Sequence, residues 1–321
     1  MSAPPVDRLA GQLAGQLAGV VGAASVTDVV RLSGGASRET WRFVADGRPL
    51  ILQRQRSGDG RDMGVEASVL RAAGAAGMPV AQVIASGTGD DSPLGASFMV
   101  MTAVEGETIA RKILRDDEYA EARTMLPAQL GAALAQLHAI PVDTAPGLVE
   151  QDQIEYYRTV MDTLGQPHPT FELAFRWLEQ HRPVSPRQAI VHGDFRLGNV
   201  IVGPDGLRAV LDWELAHLGD PMEDLGWLCV KAWRFGSPKP VAGVGDYQQL
   251  FDAYEAAGGA TVDPDEARWW EVLGTLKWGI MCILQCNAHM SGFSRSHELA
   301  AIGRRVCENE HDLFLALEGR W

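Results

Sequence analysis

His192-Gly193-Asp194-Phe195-Arg196-Leu197-Gly198-Asn199 opens a segment that runs through Val200-Ile201-Val202, a Gly203-Pro204-Asp205-Gly206 turn and Arg208–Leu211 to Asp212-Trp213-Glu214. Turn chemistry between two apolar runs predicts a β-hairpin. Pairing Val202 with Ala209 would set Asn199 opposite Asp212, where cross-strand Cβ atoms lie roughly 4.5–5.5 Å apart. Two oxygen donors at that separation suit a hard cation such as magnesium and not zinc. Asp194, five residues before Asn199, would then be the carboxylate that accepts a hydroxyl proton. A proton acceptor, an amide oxygen and a second carboxylate are what phosphoryl transfer from ATP requires.

Composition narrows the alternatives. At 321 residues, with 46% hydrophobic and 21% charged residues, the chain can build two lobes with ample core. A formal net charge of −13 without a basic run argues against a nucleic-acid partner, so an anionic nucleotide needs local cations and bound metal. Cys229, Cys282, Cys286 and Cys307 follow no zinc spacing and read as free thiols in a reducing cytoplasm. Leu9–Val21, interrupted by Gln12 and Gln16, reads as an amphipathic helix and not as a signal peptide. No apolar run reaches about 18 residues, so no membrane partner is expected.

Upstream, Val26–Leu32, Thr40–Ala45, Leu50–Arg54, Ala81–Ser86 and Phe98–Met101 read as strands, and Gly64–Ala76 as a helix. Ser33-Gly34-Gly35-Ala36-Ser37, between the first two strands, could lay backbone N–H groups over phosphates because glycine lets the chain approach closely. Beyond Thr102–Gly106, helices are expected at 117–139, 151–164, 171–180, 221–235, 246–257, 264–290 and 295–317. The division is therefore a nucleotide-binding lobe over 1–103 and a helical lobe over 104–321, with the ligand cleft between them. Lys277, a lone cation in the apolar 264–290 helix, needs a partner, and a salt bridge is the first expectation.

These motifs resemble the aminoglycoside phosphotransferase-like family of small-molecule kinases, which includes choline, homoserine and fructosamine kinases. The resemblance runs nearly end to end. It implies an α+β, two-lobed protein-kinase-like fold with a small antiparallel sheet and one main helix in the first lobe. It also implies ATP and Mg2+ as cofactors and a small hydroxylated molecule as the acceptor. By that likeness Asp194 is the catalytic base, Asn199 and Asp212 hold magnesium, and Thr102 C=O and Val104 N–H meet the adenine. Glu66 would be the helix glutamate that orients a strand lysine. Gly219-Asp220-Pro221-x-x-Asp224-Leu225 matches a family segment that is mainly structural, with Asp220 suited to an N-cap.

Ser33–Trp41 and Trp278–Gly292 are similar to one branch, the kinase-like domain fused to some acyl-CoA dehydrogenases. That hints at a hydroxylated acyl or related metabolite as acceptor. One departure stands out: Leu50-Ile51-Leu52-Gln53-Arg54 contains no lysine. Either Arg54 reaches the phosphates, or Gln53 takes the lysine position and Arg54, Arg56 or Arg38 supplies charge. The missing lysine also motivates a second reading, a nucleotide- or ligand-binding module without efficient transfer. A metal-dependent hydrolase built on His192, Asp194, Asp212 and His217 is a third.

Overall fold

In the computed structural model, which describes residues 6–34, 38–55, 63–184 and 187–320, the chain forms two lobes. Helix α1 (Val6–Val21) precedes β1 (Val26–Gly34), β2 (Arg38–Ala45) and β3 (Arg48–Gln55). Then come α2 (Met63–Ala75), β4 (Val83–Gly87) and β5 (Phe98–Thr102). The five strands make one antiparallel sheet in the order β1-β2-β3-β5-β4.

Strand alternation gives that sheet two different faces. Trp41, Phe43, Leu50, Leu52, Phe98 and Val100 pack with Leu13 and Leu17 of α1. On the other face, Ile51, Met99 and Met101 meet Met63, Ala67 and Leu70 of α2. Gln53 shares the face of Ile51, towards α2 and the second lobe, whereas Arg54 shares the α1 face with Leu52. Of the two residues, Gln53 is the one on the α2 face.

The second lobe contains α3 (Ala110–Arg115), α4 (Ala120–His138), α5 (Gln153–Leu164) and α6 (Pro169–Gln180). Short strands β6 (Ala189–Val191), β7 (Val200–Gly203), β8 (Gly206–Val210) and β9 (His217–Gly219) follow. The remainder is α7 (Met222–Cys229), α8 (Tyr247–Ala256), α9 (Pro264–Met290), α10 (His297–Ile302) and α11 (Val306–Leu317). Two expectations are corrected, and some short elements had not been expected. The 221–235 helix stops at Cys229 and gives way to a 3₁₀ turn over Lys231–Arg234. The 295–317 helix is split by a 3₁₀ turn at Gly303–Arg305. The pairing of β6 with β9, and α3, carry too few residues to show a period.

The linker after β5 is tied to the hairpin below it. Glu107 and Val202 exchange backbone hydrogen bonds of 2.9 and 3.0 Å, and Arg208 Nη1 donates to Glu105 C=O at 3.0 Å. Val210 N–H also reaches Pro79 C=O, at 2.8 Å, so the hairpin is fixed to both lobes. Helices α7 and α9 approach closely enough that a Cβ on Gly226 would lie 2.5 Å from Trp270 Cβ and 2.7 Å from Glu271 N. Gly226→Ala should therefore cost about 1–3 kcal/mol of stability through overpacking, read as a lower denaturation midpoint at unchanged slope. An unchanged midpoint would mean that the two helices separate freely.

Candidate active site

The β7–β8 hairpin forms, but its register differs from expectation by one residue. Val200 pairs with Val210 and Ile201 with Ala209; after a bulge, Val202 pairs with Leu207 and Gly203 with Gly206. Leu211 N–H donates to Asn199 C=O at 2.8 Å, so Asn199 stands opposite Leu211 and not opposite Asp212. The tight Pro204–Asp205 turn sets this register. Asp212 then leaves the strand in a left-handed conformation, φ 62°. The charges of Glu214, Asp194, Arg38 and Glu66 nonetheless act on it.

The loop from His192 to Asn199 is held from below. Buried Asp224 on α7 accepts from His192 N–H at 2.8 Å and Gly193 N–H at 2.9 Å, and also meets His138 Nε2 at 3.2 Å. Asp220 caps the same helix by accepting from Met222 N–H at 2.9 Å. The His192 ring is fully buried, and burial lowers its pKa, which keeps the imidazole neutral. Its Nδ1 accepts from Asp194 N–H at 3.1 Å and its Nε2–H donates to Leu211 C=O at 3.0 Å. One ring therefore ties the Asp194 loop to the residue preceding Asp212. Gly193 has φ 78°, and a Cβ there would lie 2.5 Å from Leu215 C=O, which explains glycine between histidine and aspartate.

Three donors fix the Asp194 carboxylate. Oδ1 accepts from Arg196 Nε at 3.0 Å and Trp227 Nε1 at 2.9 Å, and Oδ2 accepts from Asn199 Nδ2 at 2.6 Å. Asn199 Nδ2 also donates to Asp194 C=O at 3.0 Å, which leaves its Oδ1 as the atom for a cation. Burial, with the charges of Glu214 and Asp194 adding to it, pushes Asp212 up to about 7, against the opposing effect of Arg38. The Asn199 Oδ1 and Asp212 carboxylate oxygens are the donor type that suits a hard divalent cation. Magnesium commonly takes only one or two protein carboxylates and completes its shell from phosphates and water.

Arg38 replaces the absent lysine as partner of the helix glutamate. Its guanidinium lies 2.7 Å from Glu66 and 3.4 Å from Glu214. Burial opposes that charge, but the Glu66 and Glu214 carboxylates hold the guanidinium above its ordinary pKa. Arg54 faces α1, away from this group. Gly34 ends β1 opposite Glu39, while Gly35, Ser37 and Arg56 lie outside the described residues. Thr102 ends β5, and its Oγ1 accepts from Gln82 N–H at 2.9 Å. Val104 N–H makes no hydrogen bond among the described residues. His217 meets buried Glu223 at 3.0 Å rather than Asp212. Among the described residues no group of three or more His, Cys, Asp and Glu is placed to hold a metal.

Trp227 and Arg196 at the Asp194 carboxylate were not foreseen. Arg196 stands two residues after Asp194, a signal available in the sequence, whereas Trp227 is 33 residues away on α7 and carries none.

The chain belongs to the phosphotransferase enzyme family, whose model matches residues 28–270. It is 27% identical over 217 residues to mouse acyl-CoA dehydrogenase family member 10, covering 63% of this chain but only 20% of that protein. A candidate aminoglycoside phosphotransferase from Ralstonia eutropha superposes with a TM-score of 0.72 at 20% identity, covering 91% of this chain and 92% of that one. Aminoglycoside phosphotransferase APH(4)-Ia, solved as a variant with ADP and hygromycin B, gives 0.61 at 20% identity over 94% and 98%. These likenesses show the protein-kinase-like fold. No helix among the described residues is long and apolar enough to cross a membrane.

The elevated Asp212 pKa has a stability consequence. A carboxyl that binds its proton more tightly folded than unfolded weakens the fold as pH rises from about 4 to about 7. Asp212→Asn should flatten that dependence and stabilise nucleotide-free protein at pH 8 by on the order of 2–4 kcal/mol in guanidinium denaturation. Loss of stability at pH 8 would show that the folded protein favours the Asp212 charge.

Proposed function

We propose that this chain transfers the γ-phosphoryl group of ATP, bound with Mg2+, to the hydroxyl of a small molecule. The observation that carries this reading is the Asp194 carboxylate, held by three donors beside Asn199 and Asp212. Asp194 orients the acceptor hydroxyl and takes its proton as the oxygen–phosphorus bond forms and the bond to ADP breaks. Asn199 Oδ1 and Asp212 would hold the magnesium, which when bound supplies positive charge across the phosphates. Gly34, Gly35 and Ser37 would offer backbone N–H groups to those phosphates. Glu66 keeps Arg38 aimed at the cleft, where Gln53 also points. Thr102 C=O and Val104 N–H would receive the adenine.

The acceptor would lie in the groove of about 1120 Å3 between α3, the Lys231–Pro238 loop and α11, lined by Ile109, Arg111, Lys231, Phe235, Arg305 and His311. Trp233 of the adjoining turn lies under the Arg196 guanidinium at 4.7 Å, and Arg196 in turn holds Asp194. Glu308 and Asp312 also line the groove, and Lys231 pairs with Asp312 at 2.6 Å and Arg305 with Glu308 at 3.0 Å, so the walls carry charge of both signs. The names of the acyl-CoA dehydrogenase relatives favour a hydroxylated acyl compound, although the matched segment is a minor part of them.

Nucleotide consumption should therefore be stimulated by hydroxy acids or hydroxyacyl thioesters more than by aminoglycosides, measured as phosphorylated product by mass spectrometry. Asp194→Asn should lower turnover by about 10²–10⁴-fold with nucleotide affinity retained. The absence of lysine from β3 favours one competing reading, a nucleotide-binding module. ATP bound but never consumed, with Asp194→Asn indistinguishable from the parent, would establish that module instead.

A further inference from the structure

Against the His192–Asn199 loop, Lys277 of α9 is 3% exposed. Its Nζ donates to Gly193 C=O at 2.8 Å and lies 3.2 Å from Glu223 Oε1. The same ammonium sits 4.6 Å from the Trp227 ring centroid. Trp227 in turn donates its indole N–H to Asp194 Oδ1 at 2.9 Å. One buried cation thus touches the backbone of the His-Gly-Asp turn and the aromatic ring that holds the aspartate.

Packing alone does not account for this cation. Burying an ammonium is costly, and an apolar side chain of similar volume often serves stability equally well. Glu223 is already shared with His217, whose Nε2 lies 3.0 Å from its other oxygen. Glu223 is therefore an incomplete partner for Lys277, and the Gly193 carbonyl and the indole face complete its surroundings. A cation over an indole withdraws electron density from the ring and strengthens the N–H as a donor.

We propose that Lys277 and Trp227 are positioning residues for phosphoryl transfer, the lysine setting the Gly193 turn and the indole holding the Asp194 carboxylate in one orientation. This rests on the reading of Asp194 as the proton acceptor. Neither residue touches nucleotide or acceptor; they act through the geometry of the aspartate. Glu223 and His217 keep the ammonium in register, and α9 delivers it from a distant part of the chain.

Turnover and a spectroscopic signal test the proposal separately. In 15N-labelled protein, the Trp227 indole cross-peak is identified by its loss in Trp227→Phe. Lys277→Met and Asp194→Asn should each shift that peak while leaving most other indole peaks in place. In kinetics, Trp227→Phe should lower kcat by on the order of 10- to 100-fold with KM for nucleotide unchanged. An unmoved indole peak in folded Lys277→Met, or full kcat in Trp227→Phe, overturns the proposal. Should Lys277→Met not fold, Trp227→Phe and the Asp194→Asn peak decide it. If no acceptor is ever phosphorylated yet both substitutions move the peak, the contacts stand and the reading of Asp194 as a catalyst fails.

Discussion

Asp224, a carboxylate with no exposure to solvent, is the contact on which the site depends. Two backbone N–H groups from His192 and Gly193 and the His138 ring surround it. Burial alone would raise its pKa, yet His138 and these donors hold it below the usual carboxylate range. A buried charge satisfied in this way gives little net stability, but it admits one loop conformation. Gly193 at positive φ, the His192 ring and the Asp194 rotamer all follow from that conformation. The His192–Asn199 turn is therefore set by the helical lobe.

Charge organises the cleft in the opposite sense. Burial, and then the charges of Glu214, Asp194 and Glu66, raise the Asp212 pKa, and Arg38 opposes them. The chain as a whole is acidic, and proposed binding of an anionic nucleotide must work against that field. Arg38 makes the point locally. It does for Glu66 what a lysine on β3 would do, but from β2, because antiparallel pairing brings Arg38 opposite Gln55 on the face towards α2.

Long elements were legible because periodicity is a property of many residues at once. Helix α9 was read at its full extent, and all five sheet strands were found. Short elements such as β6, β9 and α3 were missed because a few residues show no period. Helix ends were misjudged where a 3₁₀ turn continued the apolar pattern, as at Lys231–Arg234. The hairpin was foreseen from Gly203–Gly206, but its register was not. The two-residue Pro204–Asp205 turn, together with a bulge between Ile201 and Val202 that no local preference marks, sets the pairing.

By itself the sequence determined the residue types and spacing of the Asp194, Asn199 and Asp212 group, the family resemblance and the two-lobed architecture. Spacing along one continuous segment is preserved in the fold, so those features could be read directly. Tertiary structure decided that Gln53 and not Arg54 lies on the α2 face, that Arg38 pairs with Glu66, and that Trp227 and Lys277 stand behind Asp194. Those pairings join residues from 28 to 84 positions apart. Only the packing of α2 on the sheet and of α7 on α9 brings such side chains within hydrogen-bonding distance.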